Sequence, residues 1–295
     1  MFLTWHDFSP KKRSHLKAPR IKATKEISII IPVKDNQKGI NLFFEAFFKT
    51  TQRESFPLEV LIVGNSGSPL HVPKECLNHQ VDVKVLQCDN IGPASARNLG
   101  WQKAMGDWIL FTDSDCIPTS TWLKGYIDAW NGSIGYAGYI SSLNDDVVSR
   151  YYESQGTLIP SSHVQNGARC PDYLITANAL VWKQALRKIG GFNERIKIAA
   201  GEDIDLGFRL REIGNLSFAP KSMTYHNFDD GFAGFIKRFR RYGRGNRLLS
   251  KMNSVNMMPR FRDACRVFFP RKKALINFLL AYTQYLSLWW GYHFE

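Results

Sequence analysis

Apolar residues fall along the chain in short unbroken runs, spaced by polar loops and by segments of helical period. Ile27–Val33 is a β-branched run, and residues 58–63 and 108–111 are two more of strand length, with the alternating Val81-Asp82-Val83-Lys84-Val85-Leu86 between them. Such runs predict strands buried on both faces, the signature of parallel pairing. Residues 40–51 place Leu42, Phe43, Ala46 and Phe47 on one side of a helix, and Gly92-Pro93 opens a second helix. Strands alternating with helices predict an α/β fold with a doubly wound, mostly parallel sheet. Three loops rich in Gly, Asn, Asp or Ser fall at one edge of it: Lys34 to Gly39, Gly64 to Ser68, and Asp113-Ser114-Asp115. The carboxyl ends of the strands form the ligand crevice in such sheets.

Beyond Pro118 the pattern is more mixed. Residues 121–130 predict a short helix and 132–142 a strand, whereas 147–160 mix aromatic and polar residues without a clean period. A strand over 174–181 is followed by a helix from Lys183 that stops at Gly190-Gly191. A further helix starts at Gly201-Glu202-Asp203, with carboxylates suited to its positive end, and runs to Gly214. Residues 216–226 are extended and finish in Tyr225-His226. Apolar residues then interleave with arginines over 235–247, where Gly243-Arg244-Gly245-Asn246 predicts a break. Residues 274–290 are almost continuously apolar, and as a helix would reach about 26 Å, short of the ~30 Å core of a bilayer. Asn277, Gln284 and Ser287 fall near one side of that helix, and Trp289, Trp290 and Tyr292 at its end. The expected roles are a membrane-surface helix with a basic collar, or packing against the domain or a second subunit.

Charge changes this picture at the two ends. The formal net charge is +13, yet residues 237–273 hold thirteen Lys or Arg against one acid, Asp263, and residues 1–25 hold seven against Asp7, leaving a mildly acidic body. Basic patches of this kind attract nucleic acid, anionic lipid or phosphorylated substrates. The reading is therefore a basic arm over 1–25, expected to be mobile, a catalytic body over 26–235, and a basic then apolar helical extension over 236–295. The amino terminus has no apolar core of the secretory type. Five scattered cysteines (Cys76, Cys88, Cys116, Cys170, Cys265) argue against a disulfide framework or a zinc site and suit a reducing compartment.

The candidate chemistry gathers at the Asp-Ser-Asp step. If the strand carries on through it, Asp113 and Asp115 point to one side and converge on a hard cation, Mg²⁺ or Mn²⁺, shared with phosphates. Arg97 is suited to pairing with a phosphate or to holding an Asp in place. Neither G-x-G-x-x-G nor G-x-x-x-x-G-K is present.

The ordered set of Ile27–Val33, the loop after Val63, Asn90-Ile91-Gly92-Pro93-Ala94-Ser95-Ala96-Arg97-Asn98-Leu99-Gly100 and Asp113-Ser114-Asp115 resembles family 2 glycosyltransferases. The resemblance covers about residues 26–230 and implies a GT-A fold, with a nucleotide-binding half joined to an acceptor-binding half. It implies that Asp113 and Asp115 bridge the cation to the diphosphate of a nucleotide-sugar, with His226 approaching the cation or the phosphates. Pro32, Lys34 and Asp35 would border the base, joined by Asn65, although Gly64-Asn65-Ser66-Gly67 departs from the two acids usual there. UDP is the default nucleotide. The resemblance makes Asp203 the base of an inverting transfer, with Glu202 binding the acceptor or holding the local geometry, the reversed roles being the alternative, and gives Arg244 or Arg241 a role toward the leaving diphosphate. The Gln-x-x-Arg-Trp motif of processive synthases is absent, which implies one sugar per encounter.

The expected activity is metal-dependent transfer from a UDP-sugar to a hydroxyl of a glycan or lipid-linked glycan, in the cytoplasm at the inner face of the membrane. The competing expectations are a nucleic-acid-binding protein or scaffold using the basic segment, and a nucleotidyltransferase, whose Gly-rich first loop does not match Lys34-Asp35-Asn36.

Overall fold

Strand β1 (Ile27–Val33) is buried along almost its whole length and seeds an eight-stranded sheet. The computed structural model describes residues 16–65, 68–79, 81–89, 92–165, 167–228, 231–253, 256–261 and 274–295. The expected arm before Leu16, motif residues Ser66, Gly67, Asn90 and Ile91, and the basic run over 262–273 lie outside these. On one side β1 pairs in parallel with β2 (Glu59–Gly64), and β2 with β3 (Asp82–Gln87). On the other it pairs in parallel with β4 (Trp108–Thr112), every residue of which is buried. Helix α1 (Gln37–Thr50) crosses from β1 to β2 and buries Phe43, Phe44 and Phe47. Their rings pack on one another and on Phe56 and Trp122, and each buried Phe is worth about 1.5–3 kcal/mol. Helix α2 (Pro93–Lys103) crosses from β3 to β4 so close to the sheet that a Cβ on Gly100 would overlap Ile30.

The sheet continues past β4 with a change of direction. Strand β9 (Asn178–Trp182) is antiparallel to β4 and to β6 (Gly135–Ser142). Strand β10 (Leu216–His226) is parallel to β6, and β5 (Cys116–Pro118) closes the order as β3-β2-β1-β4-β9-β6-β10-β5. Because β9 runs backwards, its first residue, Asn178, lies beside Thr112 at the carboxyl end of β4. A small hairpin, β7 (Ser162–Gln165) with β8 (Ala168–Pro171), stands apart. Helices α3 (Trp122–Asp128), α4 (Val147–Ser154), α5 (Lys183–Ile189) and α6 (Glu202–Ile213) complete the body.

Three expectations change. Residues 147–154 form a helix capped by Asp146, whose side chain accepts from Val148 N and Ser149 N; its buried face is Val148, Ser149, Tyr151 and Tyr152. Helix α7 (Gly231–Asn253) runs unbroken through Gly243-Arg244-Gly245. Those glycines admit neighbouring backbone: a Cβ on Gly243 would overlap the Leu288 carbonyl of α8 (Ala274–Phe294), and one on Gly245 the carbonyl of Ala200. From Leu16 on, the expected mobile arm is packed, with Leu16 N bonded to Ile213 O and Ala18 and Ile21 buried. Among the described residues no helix is long and apolar enough to cross a membrane.

Candidate active site

The sheet edge opens into a cavity of about 740 Å³ lined by the ends of β1, β2 and β4, the starts of β9, α2 and α6, and one face of α7. Strand β4 stops at Thr112, so Asp113-Ser114-Asp115 is a turn, closed by Cys116 N donating to Asp113 O at 3.1 Å. Strand alternation therefore does not carry through the step, and each carboxylate has its own neighbour. Asp113 accepts from Arg97 Nη2 at 2.8 Å. Asp115 faces His226 instead, with Oδ1 3.5 Å from Nε2. Among the described residues, a group of three ligand atoms lying within 4.8 Å of one another is formed by Asp115, Cys116 and His226, and Asp113 lines the same cavity.

The chemistry of this cluster fits a divalent cation. Asn227 O can only accept, so in the neutral ring the His226 Nδ1 beside it, at 3.1 Å, carries the proton. Nε2 then presents a lone pair to Asp115 Oδ1, itself buried and without a hydrogen-bond donor. Two acceptors face each other, and a cation between them would satisfy both. Cys116 is a poor third ligand. Burial, then the charges of Asp115 and Asp113, hold its thiol well above the usual range, and Sγ donates to Ala177 O.

Arg97 resolves its two expected roles in favour of holding acids. It is buried on α2, and beside the bond to Asp113 its Nη1 donates to Glu202 Oε1 at 2.9 Å. Glu202 is therefore engaged in the local geometry at the first turn of α6. Burial raises its carboxyl, and Arg97 opposes that rise. Asp203, next to it, lines the cavity; burial first and the Glu202 charge second push it up to about 8. A carboxyl in that range is suited to taking a proton near neutral pH.

The other expected residues divide. Pro32, Lys34 and Asn65 line the cavity, but Asp35 does not: it accepts from Ser68 Oγ at 2.7 Å, on the loop after β2. Asn65 Oδ1 accepts from Gly92 N, fixing the start of α2, where a positive φ of 116° and the nearby Lys197 backbone leave room only for glycine. Arg244 also lies outside the lining. Its Nε is 3.3 Å from Glu295, just past the end of α8, because a turn of α7 that points Arg238, Arg241 and Tyr242 inward points Arg244 away. Asn178 is structural, accepting from Trp122 and Tyr126 and donating to the carbonyls of Tyr139 and Ser222. His163 pairs with Asp172, away from the cavity.

Sequence reasoning left Asn36 without a role. Its Oδ1 caps α1 through Gly39 N, and its Nδ2 donates to Ser114 Oγ at 2.9 Å, tying the loop after β1 to the acidic turn. The signal was an Asn just ahead of a helical apolar pattern, a cap signature. Tyr173 and Asn246 also line the cavity without having been singled out.

Comparison with known proteins bears on the fold and the family. The pre-mycofactocin glycosyltransferase of Mycobacterium tuberculosis is 26% identical over 245 residues, 78% of this chain and 48% of the relative, so the chain spans about half its length. Among solved structures, S. aureus TarS 1-349 in complex with UDP aligns over 90% of both chains at 16% identity with a TM-score of 0.52. The mannosyltransferase PcManGT of Pyrobaculum calidifontis, in complex with GDP-Man and Mn²⁺, covers 97% of this chain and 76% of its own at 14% identity and a TM-score of 0.53. These likenesses establish the GT-A fold. The model of glycosyl transferase family 2 matches residues 28–190, more than half of the chain, and the protein belongs to that family.

Proposed function

We propose that the chain transfers one sugar per encounter from a nucleotide-sugar to a hydroxyl of a glycan or lipid-linked glycan, inverting the anomeric carbon. The favoured donor is a UDP-sugar, the cofactor Mn²⁺ or Mg²⁺, and the setting the cytoplasm. The observation that carries this reading is the presence, in one cavity, of the facing acceptors Asp115 and His226 and of Asp203 with its carboxyl pushed up to about 8. Neighbours crystallised with UDP, or with GDP-Man and Mn²⁺, support a nucleoside diphosphate donor without choosing between the two bases.

In this reading Asp203 accepts the proton of the acceptor hydroxyl as its oxygen attacks the anomeric carbon. The bond from that carbon to the diphosphate breaks, and the nucleoside diphosphate leaves with the electron pair. Arg97 opposes the rise that burial gives the Glu202 carboxyl, and the Glu202 charge beside Asp203 adds to burial in holding the Asp203 proton affinity high. Arg238 and Arg241, facing the cavity from α7, stabilise the charge that develops on the leaving diphosphate. A divalent cation held by Asp115 and His226 would supply further neutralisation of that charge.

Thermal stabilisation across UDP, GDP, UDP-sugars and GDP-mannose, with and without Mn²⁺, tests this. A ligand at about a hundred times its Kd adds about 2.7 kcal/mol, a rise of several degrees for a chain of this size. The expected rise depends on metal, disappears in Asp115→Ala and persists in Arg244→Ala. No rise with any nucleotide in the presence of metal refutes the reading.

A further inference from the structure

Helix α8 is inside out. Its buried positions are Asn277, Leu280, Ala281, Gln284, Ser287 and Gly291, so the polar and small residues face the body. Gln284 is 2% exposed and accepts from Tyr151 OH at 2.9 Å, and Gly291 lies against the Arg240 carbonyl. The opposite face carries Leu275, Leu279, Tyr282, Leu286, Trp290 and Phe294, spaced three or four residues apart, with Leu275 71% exposed. With Ile276 and Phe278 beside them, these side chains expose on the order of 900 Å², more than a monomer ordinarily leaves in one apolar patch. Phe261, itself exposed, packs edge-on to Tyr282 and Tyr285 and widens the patch.

Basic residues flank the patch in the sequence, and in the structure at its far end. Arg271-Lys272-Lys273 directly precede Ala274 in the chain, and Arg260 precedes Phe261. At the other end Arg240 lies over the Trp290 ring at 5.0 Å, and Arg247 donates to the His293 carbonyl. Glu295, the acid that follows α8, is already shared by Arg240 and Arg244. A second copy docked face to face would bring one basic end against another, whereas anionic headgroups complement both. An apolar face with cationic flanks and terminal tryptophans has the make-up of a helix that lies in the plane of a membrane interface.

We propose that α8 is a docking surface for an anionic lipid bilayer, with its apolar row seated below the headgroups and the basic flanks against them. The surface goes beyond the transfer reaction and is read by binding alone. One layer, α7, separates it from the cavity: Gly243 of α7 backs onto α8, while Arg238 and Arg241 of the same helix face inward. A bilayer held there lies within a helix or two of the site, which suits an acceptor carried on a lipid.

The test is co-sedimentation of the full chain with vesicles of phosphatidylcholine alone and of phosphatidylcholine mixed with phosphatidylglycerol. The expected result is binding to the mixed vesicles, weakened by salt and much reduced on the neutral ones, since each Lys or Arg near an anionic leaflet strengthens binding roughly fivefold. The variant Leu279→Glu/Leu286→Glu changes exposed positions and should keep the wild-type unfolding midpoint while binding at least tenfold more weakly, about the effect of withdrawing one leucine from the interface. Failure to sediment with the mixed vesicles overturns the proposal, as does sedimentation that the variant leaves unchanged. A dimer in solution that the variant dissociates also overturns it, by assigning the face to a second copy.

Discussion

Replacing Arg97 with methionine tests how the acids of the site are held. The guanidinium is buried and bridges Asp113 at 2.8 Å and Glu202 at 2.9 Å. Methionine keeps much of the packing of the side chain and removes the charge. The Asp113 side chain is 31% exposed and can turn to water, so its share of the loss is small. Glu202 cannot, and a buried carboxylate stripped of its partner costs about 3–5 kcal/mol. Urea unfolding of Arg97→Met should therefore show a loss of that size with an unchanged slope, a large part of the total for a typical domain. Adding Glu202→Gln removes the stranded charge and should restore at least half of the loss. The pH dependence has a defined sign. Without Arg97 the folded Glu202 carboxyl rises further above its unfolded value, so the folded state retains a proton that the unfolded chain releases above about pH 4.3. Stability then falls as pH rises through that interval, and the deficit shrinks as pH drops back to it. A loss below about 1 kcal/mol, or one that neither pH nor Glu202→Gln alters, refutes the reasoning.

Two further outcomes follow from the same geometry. With Asp203 pushed up to about 8 and acting as the base, the transfer rate should climb with pH and level off near that value, and Asp203→Asn should lose both the slope and most of the activity; a profile already flat below neutral pH contradicts the assignment. In Gly291→Val the new side chain meets the Arg240 backbone, an overpacking worth about 1–3 kcal/mol, so hydrogen exchange in α8 should quicken while the sheet keeps its protection; unchanged exchange in α8 counts against the close approach.

The parts of the fold that read directly from the chain are those whose burial is continuous. Ile27–Val33 and residues 108–112 have both faces covered, so their apolar runs are unbroken. Helix α4 was hidden because its inner face is built from Tyr151, Tyr152 and Ser149, whose pattern does not separate from polar neighbours. The uninterrupted course of α7 depends on α8 and Ala200 filling the space beside its glycines, which no local pattern reports. In the site, motif order brought Asp115, His226 and Asp203 together, because each ends or begins an element at the same sheet edge. The partners of the two acids, Arg97 for Asp113 and His226 for Asp115, were not legible, since they depend on the turn after Thr112. Nor was the outward turn of Arg244, which rests on the rotation of α7 relative to the cavity and on Glu295.

The reversed strand β9 also has a consequence for how the protein is made. On one side β4 pairs with β1, but its other edge is closed only by β9, about 65 residues later in the chain. At translation rates of about 5–20 residues per second, that edge waits roughly 3–13 s for its partner. Until then a nascent chain carries an open strand edge made of Trp108, Ile109, Leu110 and Phe111, the kind of edge that recruits other chains. The amino-terminal half is thus a poor candidate for expression by itself. Fragments ending before Asn178 should aggregate, and those extending past Trp182 should be the first to stay soluble.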